Sequence, residues 1–544
     1  MTTPSDAAAP AGTSVSDTLQ SLLVAFVMAM TFRGFFVEGF VIPTGSMAPT
    51  LMGQHVRFRS PETAYEFPID AGPVVDAARA AAAGVAPARR WRIYDPMLGF
   101  EGPVEDATSA ELLPQGRMGD RVLVLKFLYP FSAPNRWDVV VFKNPTDPVG
   151  DTQNYIKRLV GLPNETLLLA DGDVFTGAPD ADPGALRIQR KPEHIQRAVW
   201  QPVHDSDFVP TNLEKLEQNW RRVWAGAPWR ADAGSGWKIG VDRVWSCDRD
   251  APSTLTWDWS VLPIDDRVAY NMFRPIDPLY PVSDLRVAAA VAPESPKAFE
   301  TSLELGARSH VFRFAIGNGE ASLEIRHAES PDDSPAIERA AVPLDGLGPG
   351  TVDLEFWHVD QAMSIWIDGE EIVRLEYDWN PLERIDAAFF GRTLEDYRRD
   401  PVSMTPTPPT LRWNFAGSPV DLRRVRVDRD LYYRPMRMGP TIIAGPDGER
   451  LPRLGFGNDI DDPARLDDDQ FLMLGDNSGA SRDSRVLGFP HPLAALRTGE
   501  SRPFVVPGSM LLGKAWCVYF PAPLPYAEGS RALVPDFGRL RFIR

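Results

Sequence analysis

The sequence predicts a mainly β protein: one N-terminal transmembrane helix, then a β domain interrupted by an inserted β-sandwich. Three observations carry this. Residues 262–430 alternate apolar and polar with period two, as in Val311-Phe312-Arg313-Phe314, Leu323-Glu324-Ile325-Arg326 and Val425-Arg426-Val427. Within that stretch Met363–Ile367 and Ile372–Leu375 flank Asp368-Gly369, a pair that supplies the positive φ of a tight hairpin. The chain has a single long apolar run, Leu19 to Phe32.

Bulk composition narrows the function classes. With 544 residues the chain has room for two to four domains, and its net charge of −17 offers no clustered cations for a polyphosphate, so nucleic acid is excluded as a partner. Cys247 and Cys517 are the only cysteines, which allows at most one disulfide and no cysteine-based zinc site. His55, His194, His204, His310, His327, His358 and His491 are scattered without the i, i+4 spacing of a helical ligand pair, so no metal is expected. No cofactor is called for.

Residues 1–16 are Ala, Thr, Ser, Pro and Asp in the main and read as a mobile tail, with Ser16 and Asp17 as candidate helix caps. The helix is placed at 17–37. Its strict apolar run is short of the roughly 20 residues that span a bilayer, but reaches that length if Arg33 snorkels and Phe35 to Val37 lie in the interface. A cleaved export signal would need a basic leading region and a small-residue cleavage site. A buried globular helix would need a cover. The tail has no Lys or Arg, so charge does not set the orientation.

Just after that run comes Ile42-Pro43-Thr44-Gly45-Ser46-Met47-Ala48-Pro49-Thr50-Leu51, a serine in a turn. Serine is a poor nucleophile until a base takes its proton, and no histidine stands ready nearby. Lysine can serve once burial lowers its pKa from about 10.4 by several units. Lys157 fits that demand, following Tyr155 and Ile156 at the expected end of a strand, after the β-prone run Asp138–Phe142. Arg158 beside it adds a like charge that favours the neutral amine unless an acid pairs with the arginine. A third segment, Gly475-Asp476-Asn477-Ser478-Gly479-Ala480-Ser481-Arg482-Asp483-Ser484-Arg485, is rich in polar side chains at close spacing.

In this order, the three segments resemble the boxes of type I signal peptidases, the serine/lysine-dyad leader peptidase family. Gly119–Val124 and Trp137–Phe142 resemble that family's core strands, and Gly513-Lys514-Ala515-Trp516 its closing strand. The resemblance implies a signal-peptidase-like β catalytic domain with Ser46 as nucleophile and Lys157 as general base. It also implies Ser481 as the hydroxyl that orients the Lys157 amine, and Asp483 with Arg485 as a supporting ion pair. Thr44 stands where the family has serine and keeps a hydroxyl for the oxyanion, beside the Ser46 N–H. Phe40, Ile42, Pro43 and Ile156 match substrate-pocket positions whose bulk leaves room for an Ala-x-Ala end. The implied substrates are secreted or exported preproteins, and the implied location is the cytoplasmic membrane, single-pass, with the catalytic domain on the outer, periplasmic side. Departures from the pattern are Asn164 in place of glycine, which tolerates a left-handed turn, Ser478-Gly479 in place of an Arg-Asp surface pair, and Gly39 in place of proline.

The boxes span 38–485, more than such a domain requires, so the chain carries insertions. The catalytic domain is divided into 38–189, with an accessory segment at 55–118, and 431–544. The accessory segment holds an alanine-rich helix candidate, Val75 to Ala88. Asp171-Gly172-Asp173 marks a hairpin after the lysine strand. Residues 190–261 form a connecting segment with Trp200, Trp220, Trp224, Trp229, Trp237, Trp245, Trp257 and Trp259, read as a small core rather than a sugar-stacking surface. The sandwich at 262–430 is similar to laminin-G or concanavalin-like jelly rolls, with a glycan or a protein as its candidate partner. Two rival readings are a dead scaffold displaying the sandwich and a repressor-type self-cleaving Ser/Lys protease.

Overall fold

The serine and lysine segments meet because strands distant in sequence share one antiparallel sheet of eight strands. Its order is Val37–Val41, Arg121–Leu125, Leu511–Phe520, Val139–Lys143, Asn154–Gly161, Gln470–Leu474 and Val506–Pro507, with Arg541–Phe542 also on Leu511–Phe520. The computed structural model describes residues 15–99, 104–150, 152–208, 210, 228–240, 242–274, 276–331, 334–389, 391–439, 454–525, 533–534 and 536–544. Most of the expected tail, with Trp220 and Trp224, lies outside the described residues. Gly513–Trp516, expected as the closing strand, lies in Leu511–Phe520, which pairs with Arg121–Leu125 on one side and Val139–Lys143 on the other. The sheet is therefore completed by residues from the far end of the chain.

The apolar helix runs Val15–Phe35, and over Thr18–Phe35 it is long and apolar enough to cross a membrane. It ends two residues before the expected Val37 because Val37 already pairs with Leu125 at the sheet edge. Ser16 and Asp17 lie within the helix rather than capping it. In the accessory segment His55–Arg59 pairs with Glu66–Asp70 and Gly116–Arg117, and Arg90–Tyr94 pairs with Val104–Thr108. Its helix is Gly72–Ala82, with proline in the first turn. It starts earlier than the expected Val75 and stops short of Ala88, because Gly84 takes a positive φ of 69° and Pro87 follows.

The sandwich is larger than 262–430. One of its sheets has Val420–Arg429 and Leu285–Pro293 at its centre and takes in Gln201–Asp205, Trp237–Ile239 and Trp245–Cys247. The other runs from Trp229–Ala231 and Ser253–Trp257 through Thr410–Ala416, Glu300–Ala307 and His310–Gly317 to Glu338–Pro343. The described strands of the segment expected to connect two domains thus belong to the sandwich itself. Trp229, Trp237, Trp245 and Trp257 are buried in the core between the sheets, and Trp259 packs against it. The Asp368-Gly369 hairpin joins Ala362–Ile367 to Glu370–Glu376, with φ of 50° and 84° at the two turn residues.

Buried charge joins the sandwich to a second, four-stranded sheet of Arg187–Ile188, Asp173–Gly177, Glu165–Ala170 and Ala464–Leu466. The hairpin Glu165–Ala170/Asp173–Gly177 turns at Asp171-Gly172. The Asp171 carboxylate accepts from Arg308 Nε at 2.6 Å and Nη2 at 2.9 Å, and pairs with Arg384 Nε at 2.8 Å. All three side chains are shielded from solvent. Removing one partner strands a buried charge, which typically costs about 3–5 kcal/mol. Arg308→Ala is therefore expected to lower the unfolding free energy by that order in a denaturant titration, whereas Lys297→Ala, which breaks an exposed pair with Asp345, leaves the midpoint unchanged.

Candidate active site

Ser46 sits in a single 3-10 turn, Gly45–Met47, with only 8% of its surface exposed. The turn is held at both ends: Ile42 N–H donates to Asp120 O at 2.9 Å, and Leu51 N–H to Met47 O at 2.9 Å. Lys157 lies in the middle of the strand Asn154–Gly161, opposite Val140, and not at its end. Its Nζ donates to Ser46 Oγ at 2.7 Å and to Ile156 O at 2.9 Å. The serine and the amine are thus in direct hydrogen-bond contact across 111 residues of sequence.

Lys157 is 4% exposed. Burial lowers its pKa to about 8, against an opposing pull from Asp483 and Asp476. Arg158 does not act as the isolated like charge that the sequence allows. It is fully buried and bound to Asp476 through Nε at 2.8 Å and Nη2 at 2.7 Å. Asp476 also accepts from Thr50 Oγ1 at 2.5 Å, so the same carboxylate ties the serine loop to the lysine strand. Asp483 and Arg485 form a second buried bidentate pair, at 2.7 Å and 2.9 Å. Asp483 Oδ2 also accepts from Gly475 N–H, at 3.0 Å.

One expected contact is absent. Ser481 is buried, yet its Oγ makes no hydrogen bond, so it does not orient Lys157 here. The Ile156 carbonyl takes that donor instead. Ser481 lies against Gly475, where a Cβ would collide both with its hydroxyl and with the Ser46 carbonyl. Thr44 caps the turn in extended conformation without a side-chain cap bond and is exposed. Phe40, Ile42 and Ile156 share one apolar cluster with Met47 and Leu51, while Pro43 is exposed and outside it. Ser478, taken from the sequence as replacing a surface pair, is buried and accepts from Arg434 N–H and Arg485 Nη1. Asn164 has the left-handed φ of 58° that its turn requires.

Sequence reasoning missed the Arg158–Asp476 pair and Thr50. The only signal was the acid within the third box, and nothing in the spacing assigned it to Arg158. Asp173, Asp284 and Asp360 bring carboxylate oxygens within 4.8 Å of one another, but Arg384 pairs with the first two and Lys191 with the third. The positive charge there is already supplied by the protein. A cavity of about 440 Å³ near the serine loop is lined by Pro49, Tyr65, Tyr94, Tyr270 and Gly479, and by neither Ser46 nor Lys157. Trp200, Trp357 and Trp366 cluster with Arg197 stacked on the last two, at 4.7 Å and 4.8 Å, and all three rings are buried rather than offered to a sugar.

A serine hydroxyl bonded to a buried lysine amine is the arrangement that a lysine-based serine peptidase needs. Residues 106–212 match the family model described as signal peptidase, peptidase S26, a stretch that contains Lys157 but not Ser46. The chain resembles type I signal peptidases. It is 37% identical over 72 residues to signal peptidase I of Leptolyngbya laminosa, covering 12% of this chain and 35% of that protein. Against signal peptidase I of Pseudomonas aeruginosa it is 39% identical over 71 residues, 11% of this chain and 24% of the relative. Against signal peptidase I V of Bacillus subtilis it is 37% identical over 71 residues, 13% and 39%. The matches thus span between 24% and 39% of these relatives' lengths. The laminarinase from Rhodothermus marinus is 10% identical over 42% of this chain and 98% of that one, with a TM-score of 0.26, a likeness too slight to carry an argument.

The lowered lysine pKa has a stability consequence. Below pH 8 the amine is protonated in both folded and unfolded chains, and a shift from 10.5 to about 8 then costs the fold roughly 3 kcal/mol. Between pH 8 and 10.5 the unfolded chain binds the extra proton, so the penalty fades as pH rises. Lys157→Met is expected to be the more stable protein at pH 7, by chemical denaturation, with its advantage shrinking across that window.

Proposed function

We propose that the chain is a membrane-anchored serine endopeptidase that removes N-terminal signal peptides from exported preproteins, with Ser46 as nucleophile and neutral Lys157 as general base. The observation that carries this reading is the 2.7 Å contact between a buried, pKa-lowered amine and a serine hydroxyl. Ser46 Oγ attacks the scissile carbonyl carbon as its proton passes to Lys157 Nζ. The oxyanion is met by the Ser46 N–H and the Thr44 hydroxyl, which has no cap bond to break. The tetrahedral adduct collapses, the leaving amine takes the proton from Lys157, and the signal peptide remains as an ester on Ser46. Water then attacks the ester as Lys157 takes its proton; the second tetrahedral adduct expels Ser46 Oγ, which takes that proton back from Lys157, and the peptide leaves as a carboxylic acid.

Phe40, Ile42 and Ile156 border the site as an apolar wall, which supports small residues before the cut, an Ala-x-Ala end. The helix Val15–Phe35 supports an anchor in the cytoplasmic membrane with the catalytic domain on its outer side, and confining enzyme and substrate to one surface raises their effective concentration. The dead-scaffold reading has no observation in its favour, since the serine and the amine are both present and in contact.

Cleavage of a preprotein by the purified full-length protein tests this. Ser46→Ala and Lys157→Met are each expected to lower kcat by roughly 10⁴ or more, and turnover retained in either would refute the assignment. Because only the neutral amine accepts a proton, kcat/KM should rise with pH up to about 8 and level off above it. A rate flat from pH 5 to 8 would contradict the base.

A further inference from the structure

The turn that carries Ser46 is held in part by residues outside the three boxes. We propose that the segment around the short helix Ala269–Asn271, which belongs to the insertion, is a positioning element for the nucleophile. It acts through Tyr270 and Asn271, and the proposal rests on Ser46 being that nucleophile.

Tyr270 is 2% exposed. Its ring covers Gly45 so closely that a Cβ on that glycine would fall inside it. The same ring packs against Ala48 and Met52, and its hydroxyl donates to Gln54 O at 2.7 Å. One side chain therefore touches the residue before the serine, the residue two after it, and the far end of the loop. A rigid aromatic across both limbs removes the freedom of the loop to open or slide.

Asn271 acts one step removed. Its amide exchanges two hydrogen bonds with the Asn477 amide, donating at 2.7 Å and accepting at 2.9 Å. Asn477 Nδ2 also donates to Gly45 O at 2.9 Å, and its backbone N–H donates to Ser46 O at 3.1 Å. An asparagine amide can turn over and swap its donor for its acceptor. Turned over, Asn477 would present oxygen to the Gly45 carbonyl. The reciprocal pair with Asn271 forbids this, because both groups would then have to reverse together. Asn271 thereby fixes the peptide planes on either side of the serine, which set the directions of its N–H and its Oγ. Neither Tyr270 nor Asn271 hydrogen-bonds Lys157, whose bonds go to Ser46 and Ile156. A role in placing the serine alone leaves the lysine's titration untouched.

The test is steady-state cleavage of a preprotein across pH by the full-length protein and its variants Asn271→Ala, Asn477→Ala, the double variant and Tyr270→Phe, with folded fractions measured by thermal unfolding. Asn271 is only half-buried, so its truncation leaves the fold intact, and Tyr270→Phe removes a single hydroxyl. Asn271→Ala is expected to lower kcat by about tenfold per folded molecule, through slight misplacement of the reacting atom. KM should change by less than about twofold, since uniform binding is not touched. The pH midpoint should stay at the wild-type value. The double variant should be no slower than Asn477→Ala alone, because both act through one bond pair, and Tyr270→Phe should lower kcat without moving KM. An unchanged kcat in Asn271→Ala from an active wild type would overturn the positioning role and leave the peptidase reading standing. So would additive losses in the double variant, or a fall in activity that tracks the folded fraction. A wild type with no Ser46-dependent cleavage removes the peptidase reading and the inference with it.

Discussion

A lysine amine kept out of water is the constraint around which the rest of the site is arranged. Desolvation pushes Lys157 toward neutrality, but two carboxylates, Asp476 and Asp483, stand close enough to pull the other way. Left free, they would stabilise the ammonium and restore an ordinary lysine. Each is instead held bidentately by a fully buried arginine, Asp476 by Arg158 and Asp483 by Arg485. Charge-assisted pairs of this geometry satisfy the carboxylate oxygens, so their negative charge is largely answered before it reaches the amine. The two ion pairs occupy those oxygens, and burial outweighs the attraction that remains at Lys157. They also carry the geometry, since Asp476 links Thr50 of the serine loop to the lysine strand and Asp483 fixes Gly475 beside the Ser46 carbonyl.

The inserted sandwich is not a module hung on a tether. The eight-stranded sheet takes its central strand, Leu511–Phe520, from beyond the insertion. Among the described residues the junction includes buried arginine and aspartate, with Arg308 and Arg384 both bound to Asp171. Such networks hold their partners firmly once made, because an unpaired member has no water to return to. That rigidity is what allows a residue such as Tyr270, more than two hundred positions from Ser46 in sequence, to lie on the serine turn as a fixed wall.

Where local chemistry determined the outcome, the sequence was readable. Asp368-Gly369 and Asp171-Gly172 turned hairpins as their backbone freedom requires, Asn164 took the left-handed conformation, and the two-residue period in His310–Gly317 became alternate burial in a sheet. Failures came where the outcome is set at a distance. The three-residue strands at Trp229, Trp237 and Trp245 are too short to show a period, so the sandwich was cut too late and its tryptophans were assigned to a separate core. Arg158 next to Lys157 looked like a repelling neighbour, because its partner lies 318 residues away. Ser481 was expected to bond the amine by resemblance, and the backbone carbonyl of Ile156, a group that every residue carries and no side-chain pattern marks, accepts from it instead.

The most direct test is the titration of Lys157 itself, followed by NMR in protein labelled at the lysine side chains, with the resonance assigned by its loss in Lys157→Met. The account requires a midpoint near 8, with the Ser46 hydroxyl as neighbour. A midpoint at the ordinary lysine value near 10.5 would mean that the amine is solvated or held as an ammonium, and the proposed base would be lost.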